Sequence, residues 1–415
     1  MAQENKYLFF VRSLNRTNVE TAKKYGYIPV LIRDKNYEEP NPEFSSFLDQ
    51  NNVERIEIPL DYPSASDFAM KLEDISDDSI IYAGRDESLK AALRLIVLLG
   101  KKQSRITDTQ TYASLIDKSE QRKLLRESFP ELVPAFCLAK SKEEALEFLD
   151  NSGKPIILKP LNSTGSEYVQ ICSNHKDILK YWDEYRHVFS KSAGILCEEY
   201  IEGPQVSIDS YIDMDGHVYH TPACKQIIGF DKGILDFRTL CSYVDDESSG
   251  VTKMVGPKLE ELIFKLGLRG WQTHIELRLD PEDNSKFKIV EINVRAGGLR
   301  KALLLRGFGI SHFENFIRTI SGLKPIIGDK IVEYTAAAQY WSPIIKKYDN
   351  GFESELAKKL PSYKETISHL QPSQLFGPAG KGYPRLACFL LANENKGNLF
   401  KDIESIIKMN KDGII

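Results

Sequence analysis

Polar and apolar residues alternate through His274-Ile275-Glu276-Leu277-Arg278-Leu279, the period of a half-buried strand. Asp280-Pro281-Glu282-Asp283-Asn284 reads as a turn and residues 287–294 as a second strand, so the spacing predicts a hairpin. Side chains two apart share a face. Glu291, Asn293 and Arg295 therefore lie together on the second strand, and His274, Glu276 and Arg278 on the first. If the two faces coincide, three oxygen-bearing side chains converge beside a guanidinium, a set that suits Mg²⁺. The alternative is an exposed hairpin whose Glu and Arg only pair across the strands. Arg295-Ala296-Gly297-Gly298 follows directly, and paired glycines let backbone N–H groups approach a ligand.

Upstream, Lys6-Tyr7-Leu8-Phe9-Phe10-Val11, a helical spacing over residues 16–25 and Ile28-Pro29-Val30-Leu31-Ile32 predict a β-α-β unit. It lacks G-x-G-x-x-G, which disfavours a dinucleotide enzyme. Ser79-Ile80-Ile81-Tyr82-Ala83 leads through Gly84-Arg85-Asp86-Glu87 into a helix ending near Gly100. Arg85 and Glu87 sit at the carboxyl end of that strand, where open α/β sheets place ligands, or else cap the helix on a solvated loop. Lys118 opens a helix against the dipole preference, either as a cation that meets a phosphate or, the reading favoured from this position alone, as a charge without a ligand. Residues 155–160 form a buried-type strand carrying Lys159. Leu161-Asn162-Ser163-Thr164-Gly165-Ser166-Glu167-Tyr168 then reads as a phosphate-contacting flap or as an ordinary hairpin turn. Glu198 and Glu199 end an apolar run, where two acids are costly unless paired or liganded. Residues 205–214 alternate as a strand. Between Cys224 and Leu240, Lys225, Asp231 and Arg238 either cover a site and select substrate or form a solvated loop, the reading favoured here.

With 415 residues the chain is long enough for two or three domains. Its net charge of -4, without a basic block, gives no electrostatic footprint for nucleic acid. The most apolar stretch, residues 91–99, is interrupted by Arg94 and is far short of a membrane span. The amino terminus has no signal-peptide pattern, so a cytoplasmic location is expected. Six cysteines without a C-x-x-C pair indicate neither zinc nor a disulfide framework. His217 and His220, the only close histidine pair, have no matching ligands in sequence and are not read as a metal site.

In this order, these pieces resemble the ATP-grasp superfamily over most of the chain. The resemblance rests on Asp117-Lys118 before a helix, Lys159 in an apolar strand, the Ser/Gly flap, Glu198-Glu199-Tyr200-Ile201-Glu202-Gly203, and Glu276 with Glu291-Ile292-Asn293-Val294-Arg295. It implies an α/β and α+β chain. Residues 1–105 would be a Rossmann-like domain preceding the ATP-grasp domain, which would take residues 106–325. Within that domain the small lobe would span about 125–200, the hinge 198–203 and the catalytic hairpin 271–298. Residues 326–415 would form a small C-terminal α+β lobe.

The resemblance also implies roles. Lys118 and Lys159 would hold the ATP phosphates, and Ser163, Gly165 and Ser166 would close over them. Glu198 would lie near the adenine amino group, with the backbone of Glu199 and Ile201 on either side of Tyr200 reading the base edge. Glu276, Glu291 and Asn293 would bind two Mg²⁺ ions, with Mn²⁺ as a substitute, and Arg295 would contact the transferred phosphoryl group. Two positions depart from the family. Gln205 stands where many members have a ribose-binding Glu, and the flap holds only Gly165 where relatives have several glycines.

Within the superfamily the hairpin is most similar to the L-amino acid ligase, or dipeptide synthetase, group. There His274 would line the amino-acid pocket, Gly298 would offer its N–H to the reacting carboxylate, and Leu299 would border the acceptor. The expectation is an ATP-dependent ligase that joins two free amino acids through an acyl phosphate, with small-molecule partners and a homodimer as a family expectation. The same fold also supports ligation to another carboxylate or peptide, phosphotransfer without an amide product, or a binding module that has lost its chemistry.

Overall fold

The computed structural model describes residues 5–35, 41–60, 75–99, 108–161, 167–189, 194–229, 237–349, 351–378 and 381–412. Ser163, Gly165 and Ser166 of the expected flap lie outside them, as does Asp231. Among the described residues three sheets carry most of the chain, beside a two-stranded pair of Lys346–Lys347 with Leu375–Phe376. The first is parallel: β1 (Tyr7–Val11), β2 (Ile28–Asp34), β3 (Glu54–Ile58) and β4 (Ile80–Tyr82) in the order β3-β2-β1-β4. All five residues of β1 are buried, as expected of a strand covered on both faces. The helix Arg16–Lys24 joins β1 to β2, and its first turn is capped by the Asn15 side chain, which accepts from the Asn18 N–H.

The second sheet, antiparallel, holds β5 (Phe136–Ala139), β6 (Ile156–Pro160), β7 (Gln170–Cys172) and β8 (Ile195–Glu199) in the order β5-β8-β6-β7. Helices Lys142–Ser152 and His175–Phe189 cover one face, where Leu158, Cys197, Ile178 and Tyr181 share a core. The opposite face carries Lys159, Leu196 and Glu198 toward a cavity.

The third sheet is antiparallel and begins with β9 (Gln205–Ile212), β10 (Val218–His220), β11 (Cys224–Ile228) and β12 (Thr239–Val244). It continues with β13 (Trp271–Leu279), β14 (Phe287–Asn293), β15 (Tyr334–Tyr340), β16 (Tyr363–His369) and β17 (Ala387–Asn393). The strand order is β14-β13-β9-β11-β12-β15-β17-β16, with β10 paired to β9. Because β12 pairs β15, the strands of the expected C-terminal lobe extend the same sheet that carries the hairpin.

The helix His312–Ile320 is the wedge between the first and third sheets. Tyr82 packs on Phe313 and Phe316 with ring centroids 4.9 and 5.0 Å apart, and Phe316 meets Trp271 of β13 at 5.7 Å. This apolar contact sets the amino-terminal sheet against the hairpin, so that residues following β4 can reach the hairpin's polar face.

One expectation is corrected. The stretch from Cys224 to Leu240 is not a solvated loop at its described ends, because β11 and the start of β12 lie inside the third sheet. Arg238 is buried, with its guanidinium 5.2 Å from the centre of the Trp341 ring, and Lys225 pairs with Asp245 at 3.1 Å.

The turn from β8 to β9 is held tightly. Gly203 has φ +106°, its carbonyl accepts from Arg278 Nη1 at 2.7 Å, and a Cβ there would overlap the Leu279 carbonyl oxygen. Only glycine fits both constraints. Gly203→Ala is therefore expected to cost about 1–3 kcal/mol of stability, read as a lower urea midpoint; an unchanged midpoint would contradict the close approach.

Candidate active site

The hairpin register brings the two predicted faces together. His274 pairs with Asn293 and Glu276 with Glu291, so all four side chains project to one side of the β13–β14 pair. The ladder skips at Val290: Leu277 pairs with Ile289 while Glu276 pairs with Glu291. This bulge lets Val290 and Glu291, neighbours in sequence, both line the cavity below. The carbonyl of Val290 accepts from Arg122 instead of a ladder partner.

Two cavities meet at this surface. The first is lined by Lys118, Lys159, Glu198, Glu199, Tyr200 and Ile201, which are the residues expected for the nucleotide. The second is lined by Arg85, Glu87, His274, Gly298 and Leu299, which are the residues expected for the other substrates. Asp86, Gln205, Glu276, Glu291, Asn293 and Arg295 line both. The two spaces are thus divided by one wall of carboxylates and a guanidinium.

Charge within the wall is arranged residue by residue. Glu276 accepts from Arg300 Nη2 at 3.0 Å and Gln205 Nε2 at 3.2 Å, and lies 3.3 Å from His274 Nε2. Burial opposes its ionisation, yet His274 and Arg300 outweigh burial and hold the carboxyl at about 2. Gln205, the departure from the family pattern, is thereby occupied as a donor to Glu276. Glu291 makes no hydrogen bond or ion pair among the described residues, and Lys118 and Arg295 act on it only through space. Burial pushes the Lys118 ammonium down and Glu291 pulls it back up. Lys118 opens the helix Lys118–Ser128, and the Asp117 cap accepts from the Ser119 and Glu120 N–H groups. Arg295 grips Asp86 through both carboxylate oxygens, at 2.5 and 2.6 Å.

Behind the wall lies a buried carboxylate. Asp209, facing His274 across β9 and β13, accepts from the Gly297 N–H at 2.6 Å and lies 3.2 Å from His274 Nδ1. Burial would raise its pKa, but His274 and His312 together with the Gly297 amide hold it well below the usual carboxylate range. Burial lowers the pKa of His274, and Asp209 more than reverses this, so the net shift is upward. Burial leaves His312 neutral, at about 4. A Cβ on Gly297 would stand 2.7 Å from His274 Nδ1, so glycine is required for the loop to lie against the ring.

At the hinge, Glu198 is buried and paired with both Arg122 and Lys159. Burial opposes its charge, the two cations outweigh burial, and the carboxyl is held at about 2. The expected place of Glu198 beside an adenine is therefore limited to its backbone, since the carboxylate is occupied. Lys159 is likewise engaged in this structure rather than extended toward a phosphate. The Glu199 N–H donates to the Ala135 carbonyl at 2.9 Å, so it is not a donor for a base.

Residues 152–302 match the ATP-grasp domain family. This chain carries an ATP-grasp domain. Among solved structures, the L-amino acid ligase of Bacillus licheniformis is similar with a TM-score of 0.71 at 16% identity, covering 99% of this chain and 98% of that one. The N5-carboxyaminoimidazole synthetase of Staphylococcus aureus, complexed with ADP, has a TM-score of 0.69 at 13% identity, with 98% of each chain covered. In sequence, the phosphoribosylamine–glycine ligase of Methanopyrus kandleri is 30% identical over 114 residues, which are 26% of this chain and 25% of that ligase. The chain thus spans a quarter of the length of that curated relative. These likenesses share the ATP-grasp fold, in agreement with the fold expected from the ordered motifs.

Several residues of this ATP-grasp site were not singled out in the sequence. Asp86 stands between Arg85 and Glu87, and it is the one that meets Arg295. Asp209 had a signal, a carboxylate inside the apolar alternation of residues 205–214, the same cost that flagged Glu198. Arg122 and Arg300 had none, because each depends on where a helix docks. Elsewhere, Asp213, Asp215 and His217 bring carboxylate and imidazole atoms within 4.8 Å of one another on an exposed turn, ligand types the sequence reading did not associate with His217. Among the described residues no helix is long and apolar enough to cross a membrane.

Replacing Glu198 with Gln leaves Arg122 buried without its counter-charge. The expected loss at neutral pH is about 3–5 kcal/mol. Because the folded pKa lies below the unfolded value, this contribution is complete above about pH 5 and fades as pH falls toward 2. Guanidinium denaturation of both proteins at pH 7 and in mild acid checks this: the gap should narrow in acid, and a pH-independent gap would contradict the ionised Glu198.

Proposed function

We propose that this ATP-grasp protein is an ATP-dependent carboxylate–amine ligase that forms an amide bond between two free L-amino acids. The observation that carries the reading is the shared wall. The cleft lined by Lys118 and Lys159 and the cleft lined by His274 and Gly298 share a wall that includes Glu276, Glu291, Asn293 and Arg295, so a γ-phosphate reaching the wall from one side meets a carboxylate arriving from the other.

The donor set fits hard divalent cations. Glu291 and Glu276 face each other, Asn293 adds a neutral oxygen on the same face, and the Glu291 carboxylate is not taken by any hydrogen bond among the described residues. Glu276, Glu291 and Asn293 would hold Mg²⁺, which when bound neutralises the charge that develops on the β- and γ-phosphates.

The reaction we assign has two steps. A carboxylate oxygen of the first amino acid attacks the γ-phosphorus, ADP departs, and an acyl phosphate forms. The neutral amine of the second amino acid then attacks the acyl carbon, and phosphate leaves with the oxygen that came from the carboxylate and takes up the proton that the amine nitrogen loses. Lys118 and Lys159 supply positive charge to the phosphates, Lys159 after exchanging Glu198 for the nucleotide. Arg295 and the Gly298 amide favour the tetrahedral oxyanion. His274, set between Asp209 and Glu276, lines the substrate cleft and is fixed in orientation by both carboxylates. The hinge around Gly203 closes the small lobe and excludes water, which would hydrolyse the acyl phosphate.

The relatives include ligases named for different substrates, so the product decides the substrate class. Phosphate release from ATP and Mg²⁺ should appear with particular pairs of amino acids, each giving a product whose mass is the sum of both minus water. A phosphorylated product without an amide would overturn the ligase reading in favour of phosphotransfer.

Glu291→Gln should lower ATP turnover by about 100-fold or more while leaving the unfolding midpoint unchanged or raised, since the variant relieves the opposition between Glu291 and Glu276. Full turnover in this variant would remove Glu291 from metal binding.

A further inference from the structure

The substrate cleft extends beyond the carboxylate wall to the carboxyl-terminal strands of the third sheet and their ends, where Gln339, Trp341, Ser368 and Arg385 line it. Four arginines border this cleft, and they differ in how their charge is met. Arg295 is paired with Asp86 and Arg300 with Glu276, while Arg85 is exposed on the loop after β4. Arg385 is half-buried, and its guanidinium is fixed from two strands by uncharged oxygens. Its Nη1 donates to Gln339 Oε1 at 3.2 Å and its Nη2 to Ser368 Oγ at 3.2 Å. Among the described residues no carboxylate pairs with it. A guanidinium oriented by neutral acceptors keeps its charge and further N–H donors for a planar anion.

We infer that Arg385 anchors the anionic group of the amine-bearing substrate. The inference rests on the ligase reading above and adds the class of acceptor to it. The donor's carboxylate is consumed at the wall, so it cannot also be the anion at the far end of the same cleft. An acceptor that is itself an α-amino acid keeps its carboxylate throughout the reaction. Held by Arg385, it would direct its amine back toward Arg295 and Gly298, with Trp341, Leu370 and Leu386 flanking its side chain. The acceptor is therefore an amine with an anionic group, as a carboxylate or a phosphate, and not a neutral amine.

The test separates the half-reactions. Hydroxylamine, a small neutral nucleophile, traps the acyl phosphate as a hydroxamate, expelling phosphate without needing an anionic anchor. Wild type, Arg385→Gln and Arg385→Lys are assayed with proteinogenic L-amino acids as donors. Acceptors are hydroxylamine, the L-amino acids, their carboxamides and aminoethyl phosphate. The expected result is that the ratio of dipeptide to hydroxamate falls by about 10- to 100-fold in Arg385→Gln. The fall should come through a raised acceptor KM, with partial recovery in Arg385→Lys and loss of the preference for free acid over carboxamide. Aminoethyl phosphate outcompeting the free acids in wild type would support the anchor and identify the anion as phosphate. An unchanged ratio, or a parallel fall of both products, would overturn the assignment. A wild type that forms no hydroxamate with any donor would overturn the ligase reading, and the acceptor assignment with it, before any variant is compared.

Discussion

Two carboxylates directly opposite one another on a β-ladder repel, and most hairpins avoid the arrangement. Here Glu276 and Glu291 occupy that position, and much of the surrounding structure answers it. Arg300, His274 and Gln205 converge on Glu276, and Asp209 meets the far nitrogen of His274 from behind and shifts its pKa upward. Among the described residues the Glu291 side chain makes no hydrogen bond, and Lys118 and Arg295 interact with it through space. One acid is met by cationic and polar side chains of the chain and the other faces the cavity, the division on which the proposed metal site rests.

The architecture follows from getting cations to that face. The wedge helix His312–Ile320 presses the parallel sheet against β13, which brings Asp86 to Arg295. The helix Lys118–Ser128 delivers Lys118 at its start and Arg122 one turn later. Gln121 fixes the helix to the hairpin by donating to the Ile292 carbonyl and accepting from the Ile292 N–H. The third sheet then runs on from the hairpin into the carboxyl-terminal strands, so that Arg385, far away in sequence, borders the same cleft as Glu276. Its placement depends on continuous strand pairing rather than on a separate domain docking against the site.

Much of this was legible in the sequence. The hairpin expected at residues 274–279 and 287–294 is present as Trp271–Leu279 and Phe287–Asn293, because alternation and a strong turn leave few other solutions. The bulge was also written there: apolar side chains at 287, 289, 292 and 294 change phase where Val290 and Glu291 both turn to the cavity. What could not be read were the partners. Alternation indicates that Glu276 shares a face with His274, but not that Arg300, from the next helix, folds back onto it. The acids at 198 and 199 were recognisable as costly. Whether a ligand or a protein cation offset the cost depended on Arg122, a helical residue with no local pattern to mark it. The stretch 224–240 misled for a related reason: Lys225 and Arg238 look solvated by composition, and tertiary pairing buries them within the sheet.

The central claim is that a substrate carboxylate crosses the wall to take the γ-phosphoryl group. The most direct measurement is to supply each amino acid of a productive pair in turn with ¹⁸O in its carboxylate and to weigh the phosphate released. The account predicts that one of the two amino acids, the donor, transfers a single ¹⁸O to phosphate, while the label of the other stays in the dipeptide. Phosphate free of label from both would mean that no acyl phosphate forms, and the reaction assigned to this wall would be wrong.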